Sequence, residues 1–250
     1  MKPLVSIIMP CYNAEHLINQ SIDSVLAQTY DNWELLITDD SSTDNSVEVI
    51  ERYCEKDPRI NLLVSKQNQG IAKTRNLSIE SAKGRFIAFL DNDDLWMPDK
   101  LEKQVNFMLE KGYAFTYTSY ELIDNDGASM NKVILTQGVM NYGRYSRNTI
   151  IGCGTVMIDR DITGDFRMPQ NDTSDDMALW LSLMRKGFNA YPLNEVLLKY
   201  RITNNSASSK KLKAASDVWK VYRINEGMPW LKSASCFVGY AFNAVKKRVI

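Results

Sequence analysis

The sequence predicts an α/β fold, with a mainly parallel sheet flanked by helices, then a mixed half and a helical C-terminal tail. Three observations predict it. From Leu4 to Leu90, short apolar runs alternate with segments of helical periodicity, the β-α-β-α-β-α-β rhythm of a sheet covered on both faces. One of those runs, Phe86 to Leu90, stops abruptly in Asp91, Asn92, Asp93 and Asp94. After Pro98 the rhythm changes to long strand, turn and returning strand.

Leu4 to Met9 reads as the first buried strand, stopped by Pro10 and the turn-like Cys11, Tyr12 and Asn13. Ile18, Ile22, Val25 and Leu26 then recur at helical spacing. Trp33 to Thr38 is the second strand and ends in Asp39 and Asp40. Ser41, Ser42 and Thr43 offer caps to a helix with Val47, Ile50 and Cys54 on one face. Ile60 to Ser65 is the third strand, and a helix over 71–83 is expected to stop at Gly84. Pro98 opens a helix with Leu101, Val105, Met108 and Leu109 inward and Gly112 at its end. Tyr113 to Ile123 and Lys132 to Thr136 read as strands about the Asp124–Gly127 turn. Residues 137–152 read as loop. Thr155 to Ile158 is a short strand, Asp175 to Lys186 a helix closed by Gly187, and Val196 to Ile202 a last strand. A basic linker, Thr203 to Lys213, precedes two helical segments.

Composition narrows the class. At 250 residues, with 24% charged and 44% hydrophobic residues, the chain is an ordinary globular protein with material for a sizeable core. The net charge of zero hides an asymmetry. From Lys199 onward lie eleven of the 30 bases but only two of the 30 acids, a net of +9, which leaves −9 for the first 198 residues. Four widely spaced cysteines without a Cys-x-x-Cys pair argue for reduced thiols and against a zinc site. His16 is the one histidine and reads as a helix-surface residue, so histidine-based catalysis has little to work with. No signal peptide and no membrane span is expected.

The chemistry gathers at the strand ends. In a doubly wound sheet, the carboxyl ends of parallel strands line one crevice. Here they carry Pro10, Tyr12 and Asn13, then Asp39 and Asp40, then Asp91 to Asp94, with Arg75 on the helix that feeds the acidic strand. Three carboxylates within four residues repel one another and are costly to desolvate without a positive partner. The set suits a nucleoside diphosphate: a ring to stack on the base, carboxylates for the base, ribose and a metal, and an arginine for phosphate. With oxygen ligands alone, that metal is Mg²⁺ or Mn²⁺.

The segments SIIMPCYNAE, ITDDSSTDNS, NQGIAKTRN, GRFIAFLDNDD and SDDMALWLSLMRKG, in that order, resemble family 2 glycosyltransferases of the GT-A fold, a Rossmann-like architecture. The likeness extends over about residues 3–205 and to bacterial enzymes that build O-antigen or capsule repeats. It implies a nucleotide-sugar-binding half, 1–97, and an acceptor-binding and catalytic half, 98–205; beyond it the residues read as a basic helical tail, 206–250. Carried over by position, Tyr12 would lie against uracil, Asp39 would accept from its N3–H, Asp91 would touch the ribose or its neighbours, and Asn92 belongs to the nucleotide-binding set. Pro10 and Asn13 belong to the same nucleotide-binding set. Asp93 would bind the metal and Arg75 would orient the nucleotide. Asp176 would be the general base of an inverting transfer from a UDP-sugar to a saccharide acceptor, one linked to undecaprenyl diphosphate among the candidates. Asp175, Trp180 and Arg201 are candidates for acceptor or diphosphate contacts. Where such enzymes often carry a His after a Tyr-Arg pair, Tyr200-Arg201-Ile202 is followed by Thr203, Asn204 and Asn205.

Two alternatives stand beside this reading. The same fold can serve as a non-catalytic nucleotide- or sugar-binding module, against which the joint presence of Asp93 and Asp176 argues. Gly-x-Gly-x-x-Gly and Gly-Lys-Ser/Thr motifs are absent, which sets aside dehydrogenase and P-loop enzymes. No nucleic-acid partner is expected. In the tail, Trp230, Ala234, Phe237, Ala241 and Val245 make a rough apolar stripe before Lys246, Lys247 and Arg248. Such a helix either packs on the catalytic domain or lies on an anionic membrane, and the latter would hold a cytoplasmic enzyme at the inner face of the cytoplasmic membrane.

Overall fold

The computed structural model describes residues 2–170, 174–203 and 211–249, and for Lys211 and 246–249 the backbone alone. In chain order the elements are β1 (Val5–Cys11), α1 (Ile18–Leu26), β2 (Trp33–Asp39), α2 (Ser46–Cys54), β3 (Ile60–Val64), α3 (Ile71–Ser81) and β4 (Phe86–Phe89). The second half adds β5 (Leu95–Trp96), α4 (Lys100–Lys111), β6 (Phe115–Ile123), β7 (Ser129–Ile134), α5 (Tyr142–Tyr145), β8 (Met157–Asp159), α6 (Arg160–Thr163), α7 (Asp175–Arg185) and β9 (Tyr191–Arg201). The tail holds α8 (Lys211–Lys220), a π-turn over Val221–Asn225, and α9 (Trp230–Val249).

One sheet runs β3-β2-β1-β4-β8-β6-β9-β5, with β7 beside β6. Its first four strands are all parallel, as the alternation predicts. β8 then pairs antiparallel to β4 and β6, and β9 runs parallel to β6 and antiparallel to β5. β1, β2 and β4 are buried along their whole length, since helices cover both faces. The register sets Cys11 beside Asp39 and Ile8 beside Phe89, so the loops after β1, β2 and β4 emerge side by side.

Several expectations need correction. Gly84 does not cap a helix; α3 ends at Ser81 with extended Ala82 behind it. Glycine is needed there because a Cβ would lie 2.6 Å from the backbone nitrogen of Ser6. Residues 137–152 are not a bare loop. They carry α5 and bury Met140, Tyr145, Ile150 and Ile151, and Met140 bridges to Ala190. Leu109 points outward, 43% exposed. His16 sits in the turn before α1 rather than on the helix, exposed and 3.4 Å from Glu15 Oε1. The linker residues 204–210, with Asn204 and Asn205, lie outside the described residues.

Lys100 is buried, and among the described residues it pairs with no carboxylate. Its Nζ donates to Gln104 Oε1 at 2.7 Å and stands 4.2 Å over the Trp96 ring. Burial pushes its ammonium from the usual 10.5 down to about 7. The unfolded chain keeps that proton to far higher pH, so it binds more protons than the folded one above pH 7, and stability rises with pH there. Urea unfolding should show about 2 kcal/mol gained between pH 7 and 9, and the gain should vanish in Lys100→Met. Equal slopes in the two proteins would show that Lys100 titrates normally.

Candidate active site

The crevice at the strand ends is a cavity of about 400 Å³. Of the residues singled out by sequence, Pro10, Tyr12, Asp91, Asn92 and Asp93 line it. Tyr12 stands at its rim, 48% exposed. Cys11 forms part of the wall, and burial, reinforced by the charge of Asp39, pushes its thiol up to about 12. It is a neutral packing group there.

The two acids that end β2 face different ways. Asp39 is fully buried and faces its own turn, accepting from the Ser42 backbone N–H at 2.9 Å and from the Ser42 hydroxyl. Asp40 lines the cavity instead. Its two oxygens accept from the backbone N–H groups of Gln69 and Gly70, both at 2.9 Å, which fixes the loop before α3. Asn13 also serves the scaffold. It adopts φ 48°, a left-handed conformation that Asn tolerates, and its Oδ1 accepts from the Thr43 N–H at 2.8 Å, tying the β1 loop to the β2 loop.

Arg75, buried on α3, donates from Nη2 to Asp91 Oδ1. Burial alone would weaken its proton affinity, but the negative charges of Asp91 and Asp176 outweigh it and hold the guanidinium ionised. Its Nε has no hydrogen-bond partner among the described residues. Asn76, the next residue, clasps the Met168 backbone with two bonds of 2.9 and 2.7 Å. The helix that holds Asp91 is thereby fastened to the segment leading toward α7.

Arg201 does not reach the cavity. It is 1% exposed, and its guanidinium donates to the carbonyls of Asp93 (2.7 Å), Asn125 (2.8 Å) and Asp124 (3.3 Å) and to Gln20 Oε1 (2.8 Å). Its backbone N–H donates to Asp94 Oδ1 at 2.8 Å. With all three nitrogens committed, it clamps the acidic turn onto β9 rather than neutralising a bound phosphate. A lysine ammonium, three donors on a single nitrogen, cannot span these four separated acceptors as the planar fork of arginine does. Arg201→Lys should therefore cost about 2–4 kcal/mol of stability in denaturant unfolding, from buried acceptors left without donors. A cost below about 0.5 kcal/mol, the size of an ordinary surface change, would contradict the clamp.

The acidic turn divides its labour. Asp94 is buried and structural, and burial with the neighbouring charges of Asp91 and Asp93 raises its carboxyl well above the usual range. Asp93 lines the cavity, and its carboxyl is pushed up to about 6 by burial first and then by Asp91, with Arg201 pulling the other way. A carboxylate held so reluctantly ionised at a cavity wall fits a cation. Among the described residues no three His, Cys, Asp or Glu side chains form a complete ligand cage. One or two carboxylates, with substrate phosphates and water completing the shell, is the usual way Mg²⁺ is held. The residues fit Mg²⁺ or Mn²⁺ on those terms.

Asp176 is in the first turn of α7, next to the half-buried Asp175. Its Oδ1 accepts from the Met177 N–H at 2.7 Å and the Ser174 hydroxyl at 3.2 Å. Its charge acts on both Arg75 and Tyr145, so α7 brings it toward the arginine that grips Asp91. Trp180 is a correction: it has no exposed face to offer an acceptor. Phe89 and Phe115 pack on it at 5.5 and 5.2 Å between centroids, making it core. Asn68, Gly70, Ile71, Thr74 and Tyr200 complete the cavity wall and were not predicted as site residues.

The glycosyl transferase family 2 model matches residues 6–166, which takes in every residue of the cavity wall named above except Tyr200 and stops short of α7. "Putative teichuronic acid biosynthesis glycosyltransferase TuaG" of Bacillus subtilis (strain 168) is 49% identical over 248 residues, 99% of this chain and 98% of that protein. The "UDP-Glc:alpha-D-GlcNAc-diphosphoundecaprenol beta-1,3-glucosyltransferase WfgD" of Escherichia coli is 42% identical over 219 residues, 87% of this chain and 85% of its own. Among solved structures, S. aureus TarS 1-349 in complex with UDP-GlcNAc superposes with a TM-score of 0.73 at 18% identity, over 96% of this chain and 72% of that one. The mannosyltransferase PcManGT from Pyrobaculum calidifontis, in complex with GDP-Man and Mn²⁺, gives 0.71 at 18%, over 99% and 71%. The two structures speak for a shared GT-A-like fold; the family match and the long, close sequence relatives go further, and this chain belongs to glycosyl transferase family 2.

Proposed function

We propose that this chain is an inverting glycosyltransferase that moves a hexose or N-acetylhexosamine from a UDP-sugar to a lipid-linked saccharide in surface-polysaccharide biosynthesis. It would work in the cytoplasm, at the inner face of the cytoplasmic membrane. The observation that carries this reading is the cavity-facing pair Asp91 and Asp93, of which Asp91 is gripped by Arg75, the arginine on which the charge of Asp176 also acts. The printed name of WfgD, a UDP-Glc enzyme acting on a diphosphoundecaprenol-linked acceptor, supports the donor and acceptor classes.

In this reading Tyr12 stacks on uracil, and Asp40, rather than Asp39, accepts from its N3–H. Asp91 and Asn92 contact the ribose, and Arg75 keeps Asp91 in place. Mg²⁺ or Mn²⁺ on Asp93 would offset the charge that develops on departing UDP, so no general acid is needed. Asp176 removes the proton of the acceptor hydroxyl as its oxygen attacks the sugar C1. The new C1–O bond forms while the bond to the diphosphate breaks, which inverts the anomeric centre. Asp175, beside the base, contacts the acceptor.

The test is a panel of UDP-sugars with a synthetic lipid-diphosphate saccharide as acceptor, reading UDP release and product mass. One donor should be consumed, giving a product one sugar heavier and of inverted configuration. Hydrolysis without transfer, or a retained configuration, would contradict the proposal.

A further inference from the structure

The last helix has two unlike faces. Toward the domain, α9 buries Ser233 and Cys236, sets Phe237 edge-on to Trp219 at 5.7 Å, and donates from Asn243 Nδ2 to the Arg147 carbonyl at 3.0 Å. Phe237 therefore belongs to the inner face and not to an outer stripe. Away from the domain, Leu231, Val238, Phe242 and Val245 follow at intervals of seven, four and three, the spacing of one helix face. They are 76, 70, 70 and 61% exposed. A helix that only covered the domain would present polar residues there.

The exposed charge of the described tail residues is basic. Both acids of the tail turn inward: Asp217, its side chain 16% exposed, pairs with Lys220 at 3.4 Å. Glu226, its side chain 1% exposed, accepts from the Tyr142 hydroxyl at 2.8 Å and pairs with Arg185 at 3.3 Å. Lys213, Arg223 and Lys232 remain on the exposed surface, and Lys246, Lys247 and Arg248 follow in the sequence. Two copies of so basic a tail repel each other, whereas anionic headgroups attract it. Among the described residues no helix is long and apolar enough to cross a membrane, so such a helix lies in the interface. It rests on Ser146 and Arg147, directly after α5, whose Tyr145 feels the charge of Asp176.

We infer that α9 docks the protein on an anionic lipid surface through Leu231, Val238, Phe242 and Val245, on the half of the molecule that carries Asp176. The inference deepens the proposed function by placing the acceptor's bilayer beside the base, but docking itself needs no glycosyl transfer. The test sediments the full chain with vesicles of phosphatidylcholine alone and of phosphatidylcholine mixed with phosphatidylglycerol. The double variant Val238→Glu/Phe242→Glu is compared, with its thermal melt as the control for folding. Wild type should bind the mixed vesicles, less so as salt rises, and the variant should bind about tenfold or more weakly. A wild type that stays in the supernatant, or a folded variant that binds equally, would overturn the inference. So would a wild-type dimer that the same substitutions dissolve while no vesicle binding is seen. UDP binding is measured separately. Vesicle binding without UDP binding would sink only the proposed function, and UDP binding without vesicle binding only the docking.

Discussion

Asp176→Asn is expected to lower kcat by about 10²–10⁴-fold, the range lost when a general base is removed. UDP affinity should stay within about twofold, because the substitution leaves the strand-end cavity intact. The amide keeps the acceptor geometry of Oδ1 toward the Met177 N–H and the Ser174 hydroxyl, so the start of α7 should hold. Steady-state rates with saturating donor, beside UDP titration, separate the two effects. A variant with undiminished kcat would remove Asp176 from the reaction. One that also lost UDP binding would give it a structural role through Arg75, whose charge it shares with Asp91.

Asp93→Asn should move activity and stability in opposite directions. In the folded protein its carboxyl is raised to about 6. The folded state therefore holds that proton more tightly than the unfolded chain, and ionising Asp93 costs stability above pH 6; the cost disappears below the unfolded value of about 3.9. Allowing for partial solvent screening, the Asn variant should be about 1–2 kcal/mol more stable than wild type at pH 7.5 in EDTA. Its metal-dependent turnover should be lost. Added Mn²⁺ and UDP should raise the wild-type melting temperature and leave the variant's unchanged. A variant that melts lower in EDTA and keeps metal-dependent turnover would show that Asp93 is a scaffold residue. The same proton competes with the cation, so wild-type metal affinity should weaken as pH falls through 6.

Much of this molecule is readable without coordinates. β1, β2 and β4 are runs of buried residues that end in polar side chains, and a parallel sheet fully determines where such ends meet. Gly112, at φ 67°, closes α4 as its position predicts. What escapes depends on contacts between distant segments. β5 has two residues and exists because β9 pairs with it, so it leaves no period to detect. The buried residues of 137–152 are irregularly spaced, and tertiary packing alone decides that they are core. α7 is buried over Met177–Leu181, and periodicity cannot tell which of its residues meets a ligand, hence the misplacement of Trp180. Asp39 and Asp40 are adjacent acids on opposite sides of a strand end. Only the Ser42 and Gly70 hydrogen bonds show which one faces the cavity. Arg201 looks like a phosphate ligand until its carbonyl partners, from 76 to 108 residues away, are seen.

The most direct test of the central claim, that the strand-end cavity is a metal-assisted nucleoside diphosphate site, is calorimetric titration of UDP into the full chain, first with Mn²⁺ and then with EDTA. The account predicts one site per chain, clear binding with metal, at least about tenfold weaker binding in EDTA, and the same weakening in Asp93→Asn. Absence of UDP binding with or without metal would contradict it.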